Sequence, residues 1–127
     1  MNRAALLTTL TLTLVTATSA HGDERASFPA DAAAPAAEAL HARLAGRVFR
    51  ATDAKGLAWR LEYSRLGHLF VDIGTGFQDD GPYRVEGSQV CVTLRRSGAS
   101  CSEYRLHQDA VYLRRASNGE ILKLNPQ

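Results

Sequence analysis

From Arg47 to Gln127, the sequence consists of short runs in which apolar and polar residues alternate, and turn residues separate one run from the next. A period of two places successive side chains on opposite faces of a strand, so each run predicts a β-strand with one buried face. Tight turns between consecutive runs are typical of antiparallel strands, because parallel strands need a long crossover connection. The predicted strands are 47–52, 57–64, 68–73, 82–86, 90–96, 101–107, 110–116 and 121–125.

The pattern predicts a mainly all-β domain: an antiparallel meander of about 7–8 short strands that forms a small barrel or a strongly coiled sheet. Closure into a barrel removes the exposed edges of an open sheet. One short amino-terminal helix is predicted over 35–45, where Leu40 and Leu44 share a face and Gly46 can end the helix. We expect this helix to cover one end of the sheet structure.

The first 20 residues have the composition of a removable signal peptide. Arg3 supplies a positive start, an apolar and threonine-rich stretch follows, and small residues lead up to Ala20. Cleavage is predicted after Ala20, with Ala17 as the second candidate and a retained anchor helix as the alternative. The apolar part is short for a bilayer span, and no later stretch is long enough, so no transmembrane segment is predicted.

The predicted location is therefore the periplasm or the outside of the cell. Residues 21–36 are rich in Ala, Pro and charged residues and predict a flexible leader. The remaining residues, 37–127, then form a single β-rich domain, a length that suffices for one modest core.

Two cysteines, Cys91 and Cys101, flank one predicted hairpin. An even number of cysteines in an exported protein predicts a disulfide, and their spacing does not resemble a zinc site. If Val90 and Leu106 face the core, both cysteines lie on the opposite face, where a cross-strand disulfide fits.

The charges are nearly balanced. Of the 15 Lys and Arg residues only Arg3 precedes position 21, which leaves 14 against 13 acidic residues. This balance and the predicted export argue against a nucleic-acid binder. Arginines are nevertheless concentrated in the second half of the chain, as a candidate surface for a protein partner or another anionic surface, although a solvated exterior explains them as well. The candidate surface consists of Arg95, Arg96 and Arg105.

Several aromatic residues fall on predicted inner faces. They are candidates for lining an interior pocket, although aromatic residues at strand spacing are more often packed core. Arg114 and Arg115 point to opposite faces, so one of them is a candidate ligand contact in the interior. The candidate pocket residues are Trp59, Tyr63, Tyr83 and Tyr104.

Two sets of residues are candidate metal ligands. His21, as a mature amino terminus, offers an amine and an imidazole to copper. Asp72, Asp79 and Asp80 flank or lie in a glycine-rich loop predicted at 74–81 and could surround calcium, but a solvated turn is the simpler interpretation. We predict no metal and no cofactor. No nucleophile-elbow or zinc-protease motif is present, so no catalytic residue is assigned and a non-enzyme is expected.

The segments GPYRVEGSQVC (81–91) and VYLRRASNGEILKL (111–124) resemble small exported bacterial β-domains of unknown function. The shared pattern is Gly-x-aromatic-x-Val, a cysteine one strand later, a partner cysteine, and a hydrophobic strand with a tyrosine. The resemblance covers roughly 46–124 and implies fold and compartment but no activity; lipocalin-type and avidin-type barrels are looser analogies. The matching residues are Gly81, Tyr83, Val85, Cys91, Cys101 and Tyr112, with Tyr83 standing where tryptophan is more usual.

These observations favour a small exported binding or accessory protein that engages a protein partner. A small-ligand carrier with an interior pocket is the first alternative, and a metal-binding or hydrolytic enzyme is the second. A packed, dry interior would count against the carrier. The sequence does not indicate an oligomeric state.

Overall fold

The computed structural model of the chain describes residues 26–127. Within that range the chain forms one short helix and eight antiparallel strands that close into a barrel, so the predicted all-β meander is confirmed. Each strand pairs with the next along the chain, and β8 returns to pair with β1. The elements are α1 (Ala37–Leu44), β1 (Arg47–Thr52), β2 (Ala58–Tyr63), β3 (His68–Ile73), β4 (Phe77–Glu86), β5 (Gln89–Leu94), β6 (Gly98–His107), β7 (Ala110–Arg114) and β8 (Ile121–Pro126).

The period of two in the sequence gives the barrel its apolar interior. In β2, Trp59, Leu61 and Tyr63 are buried, whereas the side chains between them are partly exposed. The same alternation continues around the barrel and produces one continuous core. Leu57, the first residue of the predicted strand 57–64, lies before the observed strand and is exposed.

Strand β4 begins earlier than predicted. The prediction that 74–81 form a loop was wrong from Phe77 onward, because 77–82 pair with β3, with Asp79 opposite Val71. Aspartate is disfavoured in strands, but tertiary contacts override that preference here, since the Asp79 carboxylate receives hydrogen bonds from the turn after β5. Strand β6 likewise begins at Gly98 and not at position 101.

Gly81 lies where β4 changes partners. The first half of β4 pairs with β3 and the second half with β5. A Cβ atom at Gly81 would lie 1.9 Å from the carbonyl oxygen of Thr93, so only glycine allows the two strands to approach this closely. Glycine at such a position lets a sheet bend sharply enough to close.

Helix α1 covers one end of the barrel, as expected. Leu40 and Leu44 are fully buried and belong to the same core as Phe49 and Tyr63. Gly46 has a positive φ of 74° and donates its N–H to the Tyr63 carbonyl, which turns the chain from the helix into β1. We call this the closed end. The turns β1–β2, β3–β4, β5–β6 and β7–β8 surround the opposite end, which we call the mouth.

The disulfide between Cys91 and Cys101 is present and joins directly paired positions of β5 and β6. Both cysteines alternate with inward residues, as predicted. Cys101 is exposed, whereas Cys91 is buried although it lies on the outward side.

Part of the predicted leader packs on the barrel. Ala33 and Leu106 exchange two backbone hydrogen bonds of 2.9 Å each, and the Phe28 ring contacts the guanidinium groups of Arg105 and Arg114. These contacts were not predicted from the sequence. The predicted signal peptide, 1–20, and His21 lie outside the described residues.

Candidate ligand-binding cavity

The barrel interior contains a cavity of about 480 Å³ that opens at the mouth. Eight strands give a barrel just wide enough either to fill with side chains or to hold one small ligand. Here open space remains toward the mouth, and apolar side chains from β2 to β7 dominate its lining. These are Trp59, Leu61, Leu69, Val71, Ile73, Phe77, Val90, Val92, Leu94, Tyr104 and Leu113.

Small side chains on β6 create this space. Ser100 and Ser102 occupy the inward positions that precede Tyr104, and they pair with Val92 and Val90 of β5. Serine fills far less volume than the aromatic and branched residues that face inward elsewhere. These serines were not among the predicted pocket residues, although counting back in twos from Tyr104 places both on the inner face.

Tyr104 lies at the floor of the cavity, and Tyr63 packs beneath it. Tyr104 lines the cavity, and its hydroxyl is hydrogen-bonded to the Tyr63 hydroxyl at 2.7 Å. Tyr63 packs edge-to-face against Phe49 and Tyr83, with centroid distances of 5.8 and 5.4 Å. Burial raises the pKa of both hydroxyls of the pair, so both stay neutral.

The four predicted pocket aromatics therefore divide into two groups. Trp59 and Tyr104 line the cavity. Tyr63 and Tyr83 belong to the packed core between the cavity and the closed end, where the Tyr83 hydroxyl donates to the Ser64 carbonyl at 2.9 Å.

One side of the mouth is built around Trp59. Its indole N–H donates to Asp53 Oδ2 at 3.0 Å, and this hydrogen bond is the main reason why the pKa of Asp53 is lowered. The Arg115 guanidinium lies 4.7 Å from the Trp59 ring centroid and donates to Glu120 at 2.9 Å. Arg115 lines the cavity, whereas Arg114 packs outside on Phe28. The interior arginine of the predicted pair is therefore Arg115.

Hydrogen bonds to Asp79 fix the turn on the other side of the mouth. Its carboxylate is only 5% exposed and accepts hydrogen bonds from the N–H groups of Arg96 and Ser97 and from the Ser97 hydroxyl. Burial raises the pKa of Asp79, but these bonds together with one from the Asp80 N–H bring it below the usual value. Beside this turn, the guanidinium carbon of Arg96 lies 4.7 Å from the centroid of the Phe77 ring.

The predicted arginine surface is divided between the two ends of the barrel. Arg95 and Arg96 follow β5 at the mouth, whereas Arg105 pairs with Tyr112 close to the opposite end. Arg95 pairs with Asp80 at 2.6 Å. The structure thus does not bring Arg105 together with the other two.

A second concavity of about 670 Å³ lies on the outer surface of β2, β3 and β4. Phe70 is its large apolar side chain and is 43% exposed. Charged residues surround it, including Arg60, Glu62 and Arg95. The hydrogen bond from His68 and the pairing with Arg95 lower the pKa of Asp80 at the edge of this groove.

The candidate calcium ligands do not converge. Asp79 is saturated by hydrogen bonds from the turn after β5, and Asp80 is paired with His68 and Arg95. Across residues 26–127, no group of three or more His, Cys, Asp or Glu side chains could hold a metal ion. In the same part of the chain, no helix has the length and apolar character that a membrane crossing requires.

The fold and the cavity together define an antiparallel up-and-down barrel that a helix closes at one end and that is hollow toward the other. Comparisons with protein-family models, with curated proteins and with solved structures find no match to this chain.

Proposed function

We propose that this protein binds a small, largely apolar molecule inside its barrel. The observation that carries the proposal is the cavity of about 480 Å³. Sites for small molecules usually have volumes of about 300–1,000 Å³, apolar walls and a few placed polar groups. The cavity has each of these properties. The expectation that a packed, dry interior would count against a ligand carrier does not apply to this barrel.

The residues that line the cavity support ligand binding without catalysis. Four serines, at positions 97, 100, 102 and 117, line the cavity. A serine hydroxyl is a weak nucleophile unless an adjacent base activates it. Among the described residues that line the cavity there is no histidine and no carboxylate. We therefore propose a binding protein and not an enzyme.

Ligand binding can be tested with N-phenyl-1-naphthylamine, a neutral apolar fluorophore. Trp59 is the single tryptophan of the chain and lines the cavity, so energy transfer from Trp59 reports occupancy directly. We expect saturable binding with one probe per chain. Ser100→Phe, which projects a ring into the cavity, should weaken it. Ala99→Phe, at the neighbouring outward position, should leave it intact. Absence of saturable transfer in the parent protein would reject the proposal.

The proposal includes export to an oxidising compartment. The pattern of residues 1–20 supports export, and so does the disulfide between Cys91 and Cys101, because disulfides persist mainly outside the reducing cytosol. Mass spectrometry of the protein from its native source should find an amino terminus at His21 and a mass lower by two hydrogen atoms than that of the dithiol form. Retention of Met1 would contradict export.

Binding of a protein partner at the outer groove is the second candidate function. Phe70 is exposed within a ring of charged residues, a combination found at protein contacts. If a partner binds this groove, the parent protein should form a chemical cross-link to that partner, and Phe70→Ser should abolish the cross-link. Binding of the fluorescent probe in the barrel should not change. Equal cross-linking of parent and variant would remove the groove as the contact site.

A further inference from the structure

We propose that the natural ligand is an anionic amphiphile, whose acidic head binds Arg115 at the mouth while its apolar body lies in the barrel. This inference rests on the proposed function, because it names the class of molecule that occupies the same cavity.

The charge of the cavity wall carries the inference. Among the residues that the structure describes along the cavity, Arg115 is the one with a charged side chain, and the others are apolar or carry hydroxyls. Its side chain is 25% exposed, so it is largely removed from water. Electrostatic attraction is stronger in such surroundings than in water, which favours an anion and disfavours a cation.

The guanidinium is already held in position. It stacks on the Trp59 ring, and its Nη1 donates to Glu120, whose own Oε1 accepts the Ala54 N–H at 2.6 Å. Within residues 26–127 the Arg115 side chain makes no other hydrogen bond, so the donors on Nη2 and Nε remain for a ligand. A guanidinium presents its donors in a planar fork that matches a carboxylate or another oxyanion.

The geometry also gives the orientation of the ligand. Arg115 and Ser117 lie at the turn that follows β7, which belongs to the mouth. Tyr104 and Leu61 lie deeper, at the floor. An acid bound at Arg115 therefore directs an apolar chain toward the floor, where it displaces no charged group.

Two carboxylates offset part of the attraction of Arg115 for an anionic ligand: Glu120, which pairs with it at 2.9 Å, and Asp53, which accepts the indole N–H of the ring on which Arg115 stacks. Glu120 also accepts the Ala54 N–H and lies outside the cavity wall. We therefore expect a preference for an acid over the matching alcohol of about tenfold, the size of effect that one charge-assisted hydrogen bond supplies.

The test compares three probes with the same apolar chain: decanoate, decanol and decyltrimethylammonium. Each displaces N-phenyl-1-naphthylamine from the protein. The parent protein should bind decanoate about tenfold more tightly than decanol, and the cation should bind most weakly. Arg115→Gln should remove the preference for decanoate and leave decanol unchanged. Arg114→Gln, at the neighbouring outward arginine, should change neither affinity.

A parent-only measurement covers the case in which Arg115→Gln fails to fold. Lowering the pH through the ionisation of decanoic acid should reduce its affinity to that of decanol, whereas decanesulfonate, which stays charged, should keep its preference. Equal affinities for decanoate and decanol in the parent, with binding of the neutral fluorophore retained, would overturn this inference and leave the proposed function intact. Loss of all probe binding in the parent would reject both.

Discussion

The hydroxyls of Tyr63 and Tyr104 form a buried hydrogen bond inside the barrel. The two oxygen atoms lie 2.7 Å apart, and both residues are almost completely inaccessible to water. Each hydroxyl therefore depends on the other for its hydrogen bond. An unpaired hydroxyl in an apolar interior costs more free energy than the absence of the whole pair.

Removal of one partner should therefore be worse than removal of both. Tyr63→Phe should lower the free energy of unfolding by about 1–3 kcal/mol because it leaves the Tyr104 hydroxyl unpaired. The double variant Tyr63→Phe/Tyr104→Phe should cost less than the sum of the two single variants. Urea denaturation of all four proteins gives the coupling energy. Additive effects would mean that water replaces the missing partner.

Adjacent residues of β2 should differ strongly in their effect on stability. Leu61 is buried in the core, so Leu61→Ala should cost about 2–5 kcal/mol. Arg60 is partly exposed and pairs with Glu62 on the outside, and surface pairs of this kind contribute little, so Arg60→Ala should stay within about 1 kcal/mol. Thermal unfolding compares them. Similar midpoints would contradict the assigned faces of the strand.

At the scale of elements, the bend of β4 at Gly81 is the position where barrel closure depends on one residue type. Gly81→Ala should destabilise the protein by about 1–3 kcal/mol, because a methyl group there meets the Thr93 carbonyl on the neighbouring strand. Gly81 has no positive φ, so the cost comes from contact and not from backbone strain. Urea denaturation measures it, and an unchanged midpoint would show that β4 and β5 can separate locally without cost.

The disulfide ties β5 to β6 at the wall of the cavity. Ser100 and Ser102 flank Cys101 along β6, so the bond restrains the strand that supplies the small inward residues. On the chain-entropy model, a closed loop of this length stabilises by about 2.5–3 kcal/mol.

Cys91→Ser/Cys101→Ser should therefore lower the free energy of unfolding by about that amount. Chemical reduction of the parent should have a similar effect, and it serves as the control for the substitutions themselves. Urea denaturation under oxidising and reducing conditions checks both. A loss below about 1 kcal/mol would mean that the denatured chain keeps the hairpin together without the bond.

The elements differ in how far the sequence predicts them. Strands β1 and β3 were predicted with their observed bounds, because alternation and turn residues agree there. The start of β4 was missed because Asp79 and Asp80 read as turn residues, and their strand conformation depends on partners distant in sequence. The inward direction of Trp59 and Tyr104 follows from periodicity. The hollow above Tyr104 does not, because it depends on the combined volumes of side chains from several strands.

For the whole molecule, the buried tyrosines predict a loss of stability in alkali. The pKa of Tyr63 is raised above the ordinary value of 10.0 in the folded state, mainly by burial, whereas in the unfolded chain this residue ionises near that value. The unfolded state then binds fewer protons above about pH 10, so the free energy of unfolding falls as the pH rises further.

This decline can be measured by urea denaturation between about pH 8 and pH 11, on either side of the ordinary tyrosine pKa. The parent should lose stability above about pH 10, and Tyr63→Phe should lose less over the same interval because it lacks one of the buried ionising groups. Equal losses in the two proteins would assign the decline to other residues.

Because helix α1 covers the closed end, the cavity of the barrel has one opening, at the mouth. Leu40 and Leu44, together with the aromatic packing of Tyr63 and Tyr83, fill the end opposite the mouth. Any molecule in the cavity must leave by the route through which it came, so the barrel cannot serve as a conduit. A second ligand can enter only after the bound ligand has left. The rate of exchange is then set by spontaneous release, and adding more competitor does not accelerate it.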